Sequence, residues 1–198
     1  MIDAHVGRLL VAAVHQAVAD ELPTRVDFYD HWLRGERLRD GSVGLAPMTA
    51  VMGFLRAEGA PYHRVMRRAG DYAAAWTLEA MAGPRRKLLL WLPRWWRSRA
   101  VLRLAAQSIR DGYGASRVVV RIRRGEARIE IRQSLFCRVR DVQPQPQCDF
   151  YAALVAGLLA AFQLSAIQQI EQCTAGGNSS CVMTVDLRAA AAVPAVAA

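Results

Sequence analysis

The chain has 198 residues, of which 53% are hydrophobic, and a formal net charge of +9. Length and apolar content together suffice for a buried core, which excludes a disordered or fibrous polymer and sets the expectation of a single domain over residues 1–188 followed by a disordered Ala-rich tail over 189–198. The positive charge favours weak attraction to anionic lipid or nucleic acid, but no nucleic-acid motif accompanies it, so no specific nucleic-acid partner is expected.

Asp3 to Leu22 reads as a helix with Val6, Leu9, Leu10, Ala13, Val14 and Ala17 on one face, Asp3 as its N-cap and Pro23 as its stop. The run Arg8–Val14 is too short, and too soon followed by Asp20 and Glu21, for a secretory signal or a membrane span. A cytoplasmic location is expected, where thiols stay reduced. A second helix over Thr24–Leu33 carries Phe28 and Trp32 at i, i+4 and can end at Gly35, and Asp40–Gly44 reads as loop. Helices resume over Pro47–Arg56 and Pro61–Met81, each with Pro near the favoured first position. On the longer one Tyr72 and Trp76 share a side; core packing is the plainer reading and the lining of a ligand pocket the sharper one.

Pro84 to Arg110 contains Arg85, Arg86, Lys87, Arg94, Arg97, Arg99, Arg103 and Arg110 with no acid among them, interleaved with Leu88, Leu89, Leu90, Trp91, Leu92, Trp95 and Trp96. Basic heads among indoles suit an anionic membrane interface, with Trp91, Trp95, Trp96, Arg94 and Arg97 as the contacts and possible peripheral attachment as the consequence. The preferred reading is that Trp and Leu point into the core and the arginines form a solvated face. Pro93 rules out one continuous amphipathic helix.

A hairpin follows, with Val118, Val120 and Ile122 alternating against charge, a turn at Arg124-Gly125, and Ala127, Ile129 and Ile131 on the return; Leu135–Val139 is expected to prolong the second strand. From Phe150 to Phe162 no side chain is charged or an amide. A helix apolar all round and too short for a bilayer belongs inside the protein. Asp149 can cap it, and Gly157 in its middle costs about 1 kcal/mol relative to Ala, which points to a close neighbour. The period then changes to two: Ile167, Gln169, Glu171 and Cys173 share one strand face, and Cys181, Met183, Val185 and Leu187 share a face of the next, joined by the turn-forming Thr174–Ser180. The fold class is therefore α+β: N-terminal helices packed on an antiparallel sheet of about four strands, with a buried helix between two hairpins.

This arrangement places Cys173 and Cys181 on either side of one loop, with Glu171 beside Cys173 and Cys148 at the start of the buried helix; Cys137 is a fifth candidate ligand. With no C-x-x-C, these residues alone also suit ordinary buried cysteines, or a Cys137–Cys148 pair that reducing conditions would keep from forming a disulfide. A Cys opening an apolar helix, an acid just before a Cys, a Gly-containing turn and a second Cys eight residues on, preceded by Gln133-Ser134-Leu135-Phe136, resemble the 4-vinyl reductase domain. That superfamily includes effector-sensing domains of phenol- and xylene-responsive activators, a bacteriochlorophyll-biosynthesis protein and, more distantly, TRAPP-type trafficking subunits. The resemblance covers Gln133–Leu187 and implies a homodimer and zinc at Cys148, Glu171, Cys173 and Cys181, although the acid stands two residues before Cys173 rather than three.

For catalysis the chain offers little. His5, His15, His31 and His63 all lie in the helical half, and there is no Gly-rich phosphate loop, nucleophile elbow or HExxH. The expected function is a non-enzymatic sensor or carrier for an apolar or aromatic ligand, held by Phe150, Leu154 and Leu158 of the buried helix with Tyr72 and Trp76, and acting through a separate partner. The alternatives are a membrane-associated trafficking or scaffold protein, and an accessory factor or reductase of tetrapyrrole biosynthesis.

Overall fold

In the computed structural model, which describes residues 6–33, 42–139 and 141–188, the chain runs β1 (Val6–Gly7), α1 (Arg8–Glu21), α2 (Val26–Leu33), β2 (Ser42–Val43), α3 (Leu45–Ala57), α4 (Ala60–Glu79), α5 (Gly83–Trp91), α6 (Arg94–Gly112), β3 (Arg117–Arg123), β4 (Glu126–Arg132), α7 (Asp149–Ala161), β5 (Ile167–Gln172) and β6 (Cys181–Asp186). The expected N-cap Asp3, the histidine His5, the stop Gly35, the first residues of the Asp40–Gly44 loop and the tail 189–198 lie outside the described residues. Strands β3 to β6 form one antiparallel sheet of order β3-β4-β6-β5, so the α+β class holds. Near the N-terminus a strand pairing shifts two boundaries from the sequence reading. Val6 belongs to a strand that pairs with Val43 and bridges to Tyr113, which delays the first helix to Arg8, and the same pairing makes Ser42–Val43 a short strand rather than loop.

The β3-β4 turn has φ 49° at Arg124 and 82° at Gly125, the left-handed pair that a two-residue hairpin needs. At the far end of β4 the chain leaves the sheet at once. Gln133 has φ 56°, so Leu135–Val139 does not prolong the strand; instead Leu135, Phe136 and Cys137 turn inward and are buried.

Helix α4 is the hub of the helical half, packed on α1 and on α7. Its buried face is Val65, Met66, Ala69, Gly70, Ala73 and Ala74, and small residues there let backbones approach closely. A Cβ on Gly157 of α7 would stand 2.8 Å from the Ala74 Cβ, which is the close neighbour that its propensity cost implied. On its other side α7 turns Cys148 and Tyr151 toward Ile131, Cys181 and Met183 of the sheet, around a void of about 10 Å³. The helix is not buried all round: Ala156 and Ala160 reach solvent, and their small side chains expose little apolar surface.

Candidate metal centre and adjoining cavity

Four sulfurs meet between the start of α7 and the β5–β6 loop. The Sγ atoms of Cys137, Cys148, Cys173 and Cys181 all lie within 4.8 Å of one another, and all four residues are buried. Cys137 is 3.3 Å from Cys148, 3.4 Å from Cys173 and 3.4 Å from Cys181, and Cys148 is 3.3 Å from Cys173. These separations are far above the ~2.05 Å of a disulfide. A tetrahedral ion with Zn–S bonds of about 2.3 Å has S–S edges of about 3.8 Å, so the sulfurs of these four pairs need to part by only about 0.4–0.5 Å to take such a spacing. The residues present fit a tetrathiolate metal centre.

Each cysteine is delivered by a different local device. Cys148 is the N-cap residue of α7, and the inward turn at Gln133 carries Cys137 over the same helix end. A bulge brings in Cys173: Ile170 pairs with Met183 but Gln172 with Val182, so Glu171 is the extra residue and alternation resets after it. Cys181 opens β6 on its core side.

The surroundings favour anionic sulfur. The Gln147 N–H donates to Cys173 Sγ at 3.3 Å, the Thr174 N–H donates to Cys181 Sγ at 3.4 Å, and Thr174 Oγ1 lies 3.3 Å from the same sulfur. Without a cation the cluster divides its protons unevenly. Contacts from Cys137, Cys148 and Cys181, with the Gln147 amide, hold Cys173 far below the ordinary thiol range. Contacts from Cys137 and Cys148 lower Cys181 to about 7. The thiol of Cys148 is pushed up, by Cys137 first, then Cys173, Cys181 and burial. Four thiolates this close repel one another, and a divalent cation is what allows all of them to lose their protons.

An outer layer of polar contacts fixes the cluster. Arg56 donates to the Phe136 carbonyl at 2.6 Å, and Asn178 Nδ2 donates to the Cys173 carbonyl at 3.1 Å. Asp149, in the first turn of α7, accepts from Arg67 Nε at 3.1 Å and lies 2.8 Å from His63 Nδ1. A carboxylate there suits the positive end of the helix. His63 and Arg67 sit one turn apart on α4, a pairing whose purpose only the tertiary structure reveals.

Glu171 is not part of this group. It stands on the solvent face of β5, 2.7 Å from Arg128 Nη1, and Cys137 is the fourth residue of the cluster.

A cavity of about 370 Å³ lies among α1, α4, α6 and α7. Leu9, Leu10, Ala73, Leu104, Phe150 and Leu154 give it apolar walls, and Arg8, Thr77, Arg85, Gln107, Ser108 and Asp111 give it polar ones. Of the expected pocket residues, Phe150 and Leu154 line it, while Leu158 is fully buried elsewhere on α7. Tyr72 and Trp76 stack on each other at 5.3 Å on another side of α4, where the Tyr72 hydroxyl donates to Asp20 at 2.6 Å. The walls from α1 and α6 carried no sequence signal; the two meet where Gly7 passes Asp111, a Cβ there standing 2.3 Å from a carbonyl oxygen, and where Leu10 packs on Gly112.

No protein-family model matches the chain, and no curated protein matches it. Among solved structures, an H-NOX protein from S. oneidensis in the Fe(II)NO ligation state superposes with TM-score 0.59 and 10% identity, over 92% of this chain and 99% of that one. The SO2144 H-NOX domain from Shewanella oneidensis in the Fe(II)CO ligation state gives TM-score 0.57 and 9% identity, over 93% and 99% of the two chains. The phenol-responsive sensory domain of the transcription activator PoxR, solved with phenol, gives TM-score 0.46 and 14% identity, over 83% and 90%. Iron that takes NO or CO in a haem site is held by an axial His, Cys, Met or Tyr. None of the described residues lining the 370 Å³ cavity is one of these, so those residues offer no axial ligand to such a group. What the chain shares with the H-NOX structures is its fold.

Proposed function

We propose that this chain is a non-enzymatic small-molecule-binding module in which a structural zinc ion on Cys137, Cys148, Cys173 and Cys181 braces one wall of a pocket for an apolar or aromatic ligand. The observation that carries the reading is the double role of α7: Cys148 occupies its N-cap position inside the thiol cluster, and Phe150 and Leu154, in its first two turns, line the cavity. Four protein ligands make a closed site, which suits structure rather than catalysis. The ring of Phe136, next to Cys137, lies 4.6 Å from Phe150 and 5.2 Å from Tyr151, so the cluster and the helix form one packed unit.

A volume of about 370 Å³ falls in the range of small-molecule sites, and apolar walls with a few polar groups are what such sites show. The resemblance of Gln133–Leu187 to aromatic-sensing domains makes phenol and toluene the first probes. The expected result is a saturable rise in melting temperature, about 5–10 °C at a hundredfold excess over Kd, that Thr77→Phe/Leu104→Trp abolishes by filling the cavity. Equal response in the filled variant would refute the site.

A further inference from the structure

We propose that the elbow between α5 and α6 is a docking surface for a bilayer containing anionic phospholipid. No residue of helix α5 is fully buried, and of its leucines only Leu89 and Leu90 pack partly against the core. Trp91 is 88% exposed, Leu88 64%, Trp95 53% and Trp96 55%. Indoles and leucine left in water at this density mark a surface that something covers.

Charge identifies the cover. Between Pro84 and Arg110 there is no acid, and Arg85, Arg86, Lys87 and Arg103 are exposed and make no ion pair among the described residues. A second copy docked face to face would set these cations against themselves, since a two-fold interface apposes like with like. An anionic lipid surface instead complements them, accepts indoles at headgroup depth and lets long basic side chains snorkel.

The elbow is also fixed in shape. Arg97 Nη1 donates to the Leu90 carbonyl at 2.8 Å, tying α6 back to α5 across the Pro93 break, and Arg94 Nη2 donates to the Leu187 carbonyl at 2.7 Å, tying the elbow to the end of the sheet. The Arg99 guanidinium lies 4.6 Å over the Trp95 ring, and Trp95 meets Trp96 edge to face at 4.5 Å. Arg94 and Arg97 are therefore struts of the elbow, and the free cations sit beside the apolar residues. No helix among the described residues is long and apolar enough to cross a membrane, so the contact is peripheral.

The test is co-sedimentation of the whole chain with vesicles of phosphatidylcholine alone and of phosphatidylcholine mixed with phosphatidylserine, with tryptophan emission read in parallel. The expected outcome is binding to the mixed vesicles with a blue shift, both lost in Leu88→Ser/Trp91→Ser at unchanged circular dichroism. Removing surface charge with Arg86→Gln/Lys87→Gln should weaken binding about fivefold per charge, or about 25-fold together. Absence of binding to the mixed vesicles overturns the proposal, as does binding that Leu88→Ser/Trp91→Ser leaves intact, which would be adsorption by net charge alone. A self-associated state in sedimentation equilibrium that the same double variant dissociates would assign the surface to a second copy and overturn it equally.

Discussion

Gly70→Ala tests the seam on which both the cluster and the cavity depend. A Cβ at Gly70 would lie 2.5 Å from the Phe150 carbonyl oxygen, 2.6 Å from the Ala153 Cβ and 3.0 Å from the Leu154 nitrogen. Two of these atoms are backbone in the first turns of α7, so no rotamer change relieves the clash. Helix α7 must move away from α4. Overpacking of this kind costs about 2–3 kcal/mol, and the better helix propensity of Ala returns about 1 kcal/mol, leaving a net loss of about 1–2 kcal/mol. For a chain of this size the melting temperature should fall by about 3–6 °C. Gly53 in α3 is the internal control, because nothing lies within 4 Å of the corresponding Cβ position. There Gly53→Ala should stabilise by about 1 kcal/mol from propensity alone. Urea denaturation of the two variants beside the parent gives both signs in one experiment. If Gly70→Ala stabilises as much as Gly53→Ala, the α4–α7 contact is not the tight seam described above.

Further predictions concern the cluster, its support and the surface of α4. Phe136→Ala removes a fully buried ring between Cys137 and α7 and should cost about 3–5 kcal/mol, read by urea denaturation, with weaker metal retention under a competing chelator. If a zinc ion stabilises the fold, its removal by chelator should lower the melting temperature by about 10 °C, and re-addition should restore it. Acidification acts in the same direction, because the sulfurs must be deprotonated to bind, so metal retention should fall as pH falls. At the surface, the carboxyl of Asp20 is held below its ordinary value by the Tyr72 hydroxyl and then by Arg68. A carboxyl lowered in the folded state adds stability above its unfolded value of about 3.9, and that stability disappears as pH falls through the lowered folded value. Tyr72→Phe should raise the Asp20 midpoint in a carboxylate NMR titration and shrink this acid-side loss; an unchanged midpoint would show that the hydrogen bond is not its cause.

Much of the C-terminal half was legible because its periods are clean. Val118–Ile131 alternates strictly and forms the hairpin, and the uncharged run from Phe150 is the helix between the two hairpins. The cluster was only partly legible, for reasons that are local and physical. Strict alternation places Glu171 and Cys173 on one face, but the bulge at Glu171 leaves the acid in solvent and turns the thiol inward. Nothing in the period of a strand announces a bulge. Cys137 was expected on a strand prolonged over Leu135–Val139, whereas the backbone of Gln133 ends β4 before it.

The helical half misled in a different way. On α4 the two aromatics invite an apolar-face reading, yet the face that meets α1 and α7 is built from Ala69, Gly70, Ala73 and Ala74, where helices approach more closely than rings allow. Tyr72 and Trp76 are left to stack at the edge, with Asp20 as the polar partner. The preference for burying Trp91, Trp95 and Trp96 failed on the same principle, since that preference is statistical and these three are exposed.

The most direct test of the account is zinc per chain, measured by elemental analysis on the untagged parent, Cys137→Ser and Glu171→Gln. About one zinc is expected in the parent and in Glu171→Gln, and its loss in Cys137→Ser, since four thiolates complete a tetrahedral site without a carboxylate. Metal-free parent protein with four freely titrating thiols would contradict it, as would zinc that survives Cys137→Ser and is lost in Glu171→Gln.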